Sequence, residues 1–484
     1  MGLLGVLLGL AVLVALAFRG WSILLLAPLA ALIAAAFSGE PLLAHWTQTF
    51  MTNAADFIAR FFPLFLLGAL FGKLMNDSAS VTTIAHYMTD KLGAHRSILA
   101  VVLAGAAVTY GGVSLFVAFF VLAPMALALF RTANIPRRLM PAAIALGTST
   151  FTMSAMPGTP AIQNAIPMPF FGTTPFAAPG LGILASAIIL SFGLWWLARA
   201  EATARATGEG FGHDSSSGVE DASDSSMVRE RATTAREFDP AEIHRGASAP
   251  GGPPIFLAAL PLIVVVGVNL VMTFLVLPRL DVSYLAEARW GATSLSAVGG
   301  VWSVIVALLA AILTVIAINF RRIPGFQATL DAGANASVLP IFSVASLVGF
   351  GAVVAALPAF AAVRDWLLGL GGGPLVSLAV ATNILSALTG SASGGLTIAL
   401  DALGPSYMKL AAEIGLDPAL MHRVAVIGSG TLDSLPHNGA VVTMLAVCGT
   451  THRESYFDIV IVGIVGPIIA LTAVIVLGGT IGSF

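Results

Sequence analysis

Apolar residues fall in long blocks along this chain. Blocks near 3–18, 21–37, 57–75, 97–110, 113–130, 138–153 and 178–198 are followed by a second set near 254–277, 294–320, 337–361, 374–388, 395–403, 420–432, 440–448 and 456–479. About 20 apolar residues cross the ~30 Å hydrocarbon layer as a helix, so the longer blocks predict transmembrane helices. Others are too short, because sixteen helical residues rise about 24 Å and nine about 14 Å. Short segments interrupted by Gly and Pro occur in both sets and predict broken helices and re-entrant hairpins.

The polar positions divide the chain. Residues 200–252 are rich in Ser, Gly, Glu, Asp and Arg with almost no large apolar side chains. Such a composition cannot bury enough surface to offset its ordering entropy and predicts a disordered cytoplasmic linker. It separates a first repeat at 1–199 from a second at 253–484. Lys73, Lys91 and Arg96 precede the block at 97, and Arg131, Arg137 and Arg138 follow the block ending at 130, whereas the 38–56 loop has neither Lys nor Arg. Basic loops face the cytoplasm. Both flanks of 97–130 then lie on one side, which makes that segment a hairpin with its tip at Tyr110-Gly111-Gly112-Val113-Ser114.

Composition fixes the solvent. Apolar residues make up 57% of the 484, and charged residues only 10%, against roughly 25% in a soluble domain. The start M-G-L-L-G-V-L-L lacks the basic region of a cleaved signal peptide and reads as a retained helix. The single cysteine, Cys448, excludes an internal disulfide and any multi-cysteine metal site. A net charge of −2 suggests no nucleic-acid partner. No P-loop signature is present, which argues against direct ATP coupling.

Two landmarks recur in order. The tip Gly111-Gly112 matches Gly394-Gly395 in T-G-S-A-S-G-G-L-T at 389–397, 283 positions on, and Pro157 in S-A-M-P-G-T-P matches Pro436 in D-S-L-P-H-N-G, 279 positions on. A duplicated unit of hairpin plus broken helix follows. The less basic flanks of the second hairpin favour an inverted second copy. The expected fold is an all-α polytopic membrane protein of about 12 transmembrane helices in two inverted repeats.

Non-helical backbone at membrane depth is tolerated only where protein or a polar cavity supplies partners. Two tips and two breaks meeting near the midplane would aim helix N-termini, with their partial positive charge and free N–H groups, at one point. Gly111, Gly112, Gly394 and Gly395 would allow close backbone approach. Ser114, Ser154, Thr159, Thr389, Ser391, Ser393 and Asn383 are neutral donors, and Pro157 and Gly158 shape the break. The set suits a small hydroxylated anion, with no fixed Arg or Lys in the site.

Asp433 and His437 are the sharpest polar signals, since a charge at membrane depth costs about 2.5–3.5 kcal/mol on insertion scales. Either they form a proton-coupling pair, with His437 and Asn438 also near substrate, or they lie in an outer loop where Asp433 caps a helix. Asn438-Gly439 equally suits a tight turn. Asn383 reads also as interhelical glue. Gln163 and Asn164 read as structural. The remaining histidines lack ligand spacing, so neither metal nor cofactor is expected.

Y-G-G-V-S-L-F at 110–116, S-A-M-P-G-T-P-A-I-Q-N at 154–164 and T-L-D-S-L-P-H-N-G-A-V-V-T-M-L-A-V-C-G-T-T-H-R-E-S-Y at 431–456 resemble the gluconate permease (GntP) family of bacterial secondary transporters, within the ion transporter superfamily. The chain lacks the His-Val-Asn-Asp element of gluconate-type members, and D-S-L-P-H-N-G-A looks more like the 3-hydroxybutyrate permease branch. The resemblance implies inverted repeats, a bacterial inner-membrane location, dimers as a common assembly, and uptake of a small organic anion with a proton or sodium ion. Proton symport of a hydroxy-monocarboxylate is the leading expectation. Gluconate or sodium-coupled carboxylate transport and an anion channel are the alternatives. An intramembrane hydrolase using Ser434, His437 and Asp433 is disfavoured, because nucleophile and base normally meet from separate elements.

Overall fold

The computed structural model describes residues 2–18, 21–93, 96–211, 249–436 and 438–484. Helices account for nearly all of the regular structure. In the first unit they are α1 (Gly2–Phe18), α2 (Ile23–Ser38), α3 (Leu42–Asp77), α4 (Ser80–Leu92), the hairpin α5 (Ser97–Tyr110) and α6 (Leu115–Thr132), α7 (Met140–Thr148) and α8 (Pro179–Ala206). The second unit holds α9 (Ile255–Arg279), α10 (Leu295–Asn319), α11 (Phe326–Ala356), α12 (Phe360–Leu368), the hairpin α13 (Gly373–Thr389) and α14 (Ala392–Ile414), α15 (Pro418–Thr431), α16 (Gly439–Val447) and α17 (His452–Ile481). Six of these, α3, α8, α9, α10, α11 and α17, are each long and apolar enough to cross a membrane.

The apolar blocks became helices, and capping residues set several ends. Asp417 accepts from the Ala419 amide at 2.8 Å with Pro418 as the first helical residue of α15. Thr451 and Glu454 close a capping box on α17. The helices that the blocks missed, α4 and α12, are short and polar on one side. Lipid-like exposure marks the outer faces: Leu4, Leu7, Phe256, Ile263 and Leu313 are exposed. These side chains have no other apolar phase to enter.

Both units repeat one plan at a constant spacing. Tyr110 and Thr389 end the first hairpin arms, Asp77 and Ala356 end α3 and α11, and each of these pairs is 279 positions apart, as are Pro157 and Pro436. In each unit the first hairpin arm packs on the first half of the broken helix, α5 on α7 and α13 on α15. This corrects the second tip. The chain turns at Gly390, in the left-handed region at φ +64°, and Ser391 caps α14 by accepting from the Gly394 amide at 3.2 Å. Gly394 and Gly395 lie inside the first turn of α14, and the true partner of Gly111 is Gly390.

The first residues of the expected linker are helical. Helix α8 continues to Ala206, and the following turn docks back through Phe211 N to Asn134 Oδ1 at 3.0 Å and through Glu209 to Arg138. At the far end the Ala249 amide donates to the Asp77 carbonyl at 2.8 Å. The remainder of the expected disordered segment, 212–248, lies outside the described residues.

Candidate functional site

The first tip is shaped by Gly112, whose φ of +97° favours glycine and whose added Cβ would sit 2.8 Å from Pro160 Cγ. The tip therefore rests directly on the first break. There the helix stops after Ser154, and Pro157 and Pro160 remove two backbone donors before a turn resumes at Ile162–Ala165. A side chain ties each tip to its own break. The Tyr110 hydroxyl donates to the Pro157 carbonyl at 2.9 Å, and the Asn438 amide donates to the Gly390 carbonyl at 2.8 Å.

Between the units lies a cavity of about 190 Å³. It is lined by the first tip (Gly112, Val113, Ser114), the first break (Met153, Pro160 to Gln163), the end of α3 (Gly72, Lys73, Asn76), the bend of α11 at Ser337, and Ser393 from α14. Ser114 is the N-cap residue of α6, yet its side chain makes no capping bond, and Ser114 faces the cavity with the first amides of an 18-residue helix. A helix N-terminus that opens on a cavity presents free N–H groups and partial positive charge. Gln163, 4% exposed, holds a buried side-chain oxygen with no partner. Such an atom is costly to leave unpaired, and Gln163 stands where the large cavity adjoins a smaller one.

Lys73 is the residue missed by sequence reasoning. Assigned above to a basic loop, it lies within α3, 7% exposed, with Nζ 3.1 Å from Asp77 Oδ1. The expectation of no fixed Arg or Lys concerned the tips and breaks, whereas Lys73 comes from α3 and lines the large cavity beside the first tip. A lysine inside the 57–75 apolar block was itself the signal, since intramembrane charges are rare and functional by default.

A second, adjoining cavity of about 20 Å³ shares Leu115, Met153 and Gln163 with the first and is lined also by Ser154, Asp433 and Ser434. It has room for one water or ion. Asp433 Oδ1 accepts from Asn438 Nδ2 at 2.6 Å, while Asn438 Oδ1 accepts from the Ala440 amide at 2.7 Å. Both amide hydrogens of Asn438 are thus used within the protein, which leaves it a clamp between tip and break instead of a substrate donor. His437 lies outside the described residues.

Other expected residues are placed elsewhere. Gly111 packs on Leu262. Gly158 packs on Phe176, and its carbonyl accepts from Asn269. Thr159 is buried, with its carbonyl taken by Asn164. Ser391 is engaged in capping, and Gly394 and Gly395 pack on Leu347 and on the Ser386 backbone. Asn383 bonds its own helix at Ala379 and lies against Gly428, as interhelical glue would. Of the expected site, Gly112, Ser114 and Ser393 meet in the large cavity, and Ser154 and Asp433 in the small one.

Behind the first break, Arg423 of α15 is fully buried and donates to the carbonyls of Ala177 (2.7 Å) and Ala155 (3.1 Å) and to Asn164 Oδ1 (3.4 Å). His422 joins it through Asn164 Oδ1 and Thr173. Carbonyls released by the break are satisfied by the opposite unit.

Comparison with known proteins gives matches of three kinds. The family model described as GntP family permease matches residues 1–170. The chain is 40% identical over 466 residues to the Uncharacterized transporter YxjC of Bacillus subtilis (strain 168), covering 95% of each. Among solved structures it resembles the YdaH transporter of Alcanivorax borkumensis (TM-score 0.51, 17% identity, 91% of this chain and 89% of that one). It also resembles Neisseria gonorrhoeae MtrF, described with a class of antimetabolite efflux pumps (TM-score 0.52, 13% identity, 90% and 85%). At such identities the last two speak for the fold alone.

Proposed function

The chain belongs to the GntP permease family, a multi-pass secondary transporter of the inner membrane and no enzyme, and on that premise we propose that it carries a small hydroxy-monocarboxylate such as 3-hydroxybutyrate by proton symport. The observation that carries this reading is the cavity wall: one lysine and one helix N-terminus for a single carboxylate, with Ser114, Ser393 and Gln163 as neutral polar side chains for a hydroxyl. Its size, about 190 Å³, is below the ~300–1,000 Å³ of drug-sized ligand sites and favours a short acid over a sugar acid.

Alternating access follows from the repeat. With the hairpins turning back, α1, α2, α3, the broken helix at α7 and α8 make an odd number of crossings, and the second unit then enters the bilayer in the opposite sense. A cavity between two inverted units opens to either side as one rocks on the other. Arg423 fastens the first break so that the anion site keeps its shape during that motion.

The test is competition for uptake into liposomes. 3-Hydroxybutyrate should displace labelled substrate better than butyrate, which lacks the hydroxyl, and better than citrate, which carries charge that one lysine cannot balance. Preference for citrate would sink the reading.

A further inference from the structure

We propose that Met153 sets the upper length of the transported acid by filling the neck between the two cavities, an inference that rests on the reading of the large cavity as the anion site. Leu115, Met153 and Gln163 line both cavities and so form that neck. Leu115 is the first residue of α6, directly after the N-cap Ser114, and Met153 belongs to the last helical turn before the first break. The neck therefore lies beside the helix N-terminus to which the substrate carboxylate is assigned.

The surroundings of that N-terminus decide which way the rest of the acid runs. The walls that α3 and α11 contribute through Leu64, Phe65, Pro340 and Val344 offer a hydroxyl no side-chain partner, and none of these residues lines the small cavity. Gln163 stands at the neck, and Ser149, Ser154, Asp433 and Ser434 line the space beyond it. A buried hydroxyl is costly unless it is hydrogen-bonded, so a hydroxylated chain held by its carboxylate at α6 extends towards the neck.

There it meets Met153. Gln163 is 4% exposed and Leu115 6%, whereas Met153 is only half-buried and keeps part of its surface open. Its unbranched thioether, with three rotatable bonds, adapts to an irregular gap. The chamber behind it, about 20 Å³, has room for one water and for no carbon chain. A short hydroxy acid ends at the thioether, and each further carbon collides with it. One methylene too many in a shaped site costs about 10- to 200-fold in specificity. Shortening Met153 joins the two chambers, and the serines of the second then meet the hydroxyls of a longer acid.

The experiment uses the full chain in liposomes, with labelled 3-hydroxybutyrate as tracer and with unlabelled 3-hydroxybutyrate, gluconate and hexanoate as competitors. The readout is the ratio of half-inhibitory concentrations within each variant, which a change in the amount of active protein does not move. Wild type should favour 3-hydroxybutyrate over gluconate by about tenfold or more, and Met153→Ala should lower that ratio by about tenfold. Gluconate should gain more than hexanoate, because the opened chamber is polar. Met153→Leu, a volume-conserving exchange, should rank the acids as wild type does. Adding Ala440→Val, on the wall of the small cavity, to Met153→Ala should reverse the gain, which a general loosening of the site would not allow. A wild type that takes both acids equally, a wild-type ratio in Met153→Ala, an altered ratio in Met153→Leu, an equal gain for gluconate and hexanoate, or a gain that survives Ala440→Val overturns the proposal. If Met153→Ala does not survive extraction, Met153→Val and Leu115→Val, which widen the neck by less and from either wall, take its place, and an unmoved ratio in both overturns it equally. Should no labelled 3-hydroxybutyrate enter wild-type liposomes, the reading of the large cavity falls and takes this inference with it; uptake with a ratio that ignores Met153 sinks the inference alone.

Discussion

Replacing Gly395 by alanine tests how the second hairpin is held. The residue lies in the first turn of α14, and its added Cβ would come within 2.2 Å of the Ser386 amide nitrogen, 2.3 Å of Ser386 Cα and 2.5 Å of the Leu385 carbonyl carbon. These atoms are the backbone of α13, which cannot swing aside as a side chain would. To restore ordinary contact the two arms must part by more than an ångström. Overpacking of this kind costs about 1–3 kcal/mol, and the upper end applies where backbone is struck. Alanine returns about 1 kcal/mol of helix propensity, so the net loss is about 2 kcal/mol. Thermal unfolding of detergent-purified protein at a fixed scan rate should show a lower midpoint, and exchange should show a raised KM, because the displaced arm carries Ser393 into the cavity. Gly267→Ala on α9 is the control: nothing lies within 4 Å of its added Cβ, and only the propensity gain remains. A Gly395→Ala protein with wild-type midpoint and KM would refute close backbone packing in this hairpin.

Gln163→Leu fills the same space without the buried oxygen, and should narrow the preference for 3-hydroxybutyrate over butyrate by tenfold or more, since a lost hydrogen bond in a dry site is worth about 1–3 kcal/mol; unchanged discrimination in paired uptake assays would move the hydroxyl elsewhere. Arg423→Met leaves the Ala155 and Ala177 carbonyls buried without their donor and should lower stability by about 2 kcal/mol or more, with Arg423→Lys recovering part of it as a point charge that cannot fork. Thermal unfolding of both variants checks the order, and equal midpoints for wild type and Arg423→Met would remove the clamp.

What the sequence determined by itself follows from its solvent. Backbone polar groups in lipid must bond within a helix, so apolar blocks such as 97–110 and 294–320 fold where they stand, and their lengths reveal which cross and which turn back. The spacing of Pro157 and Pro436 likewise carries the duplication, because proline breaks a helix locally whatever surrounds it. Tertiary structure decided the rest. Gly394-Gly395 and Gly390 are equally acceptable as turn residues in text, and only the packing of α14 on α13 selects Gly390. Whether Asn438 faces substrate or clamps the tip depends on Gly390 and Asp433 lying within reach. Arg423 stands within the 420–432 apolar block, and only the packing of α15 brings it to carbonyls some 250 positions earlier. Lys73 was legible as a charge within an apolar block, but its place was not, because a lysine comes to line a cavity only when a tip, a break and a second unit enclose the space in front of it. Local helix formation is written in neighbouring residues, whereas a binding site is a coincidence of distant ones, and the energy of that coincidence appears only once the chain has closed.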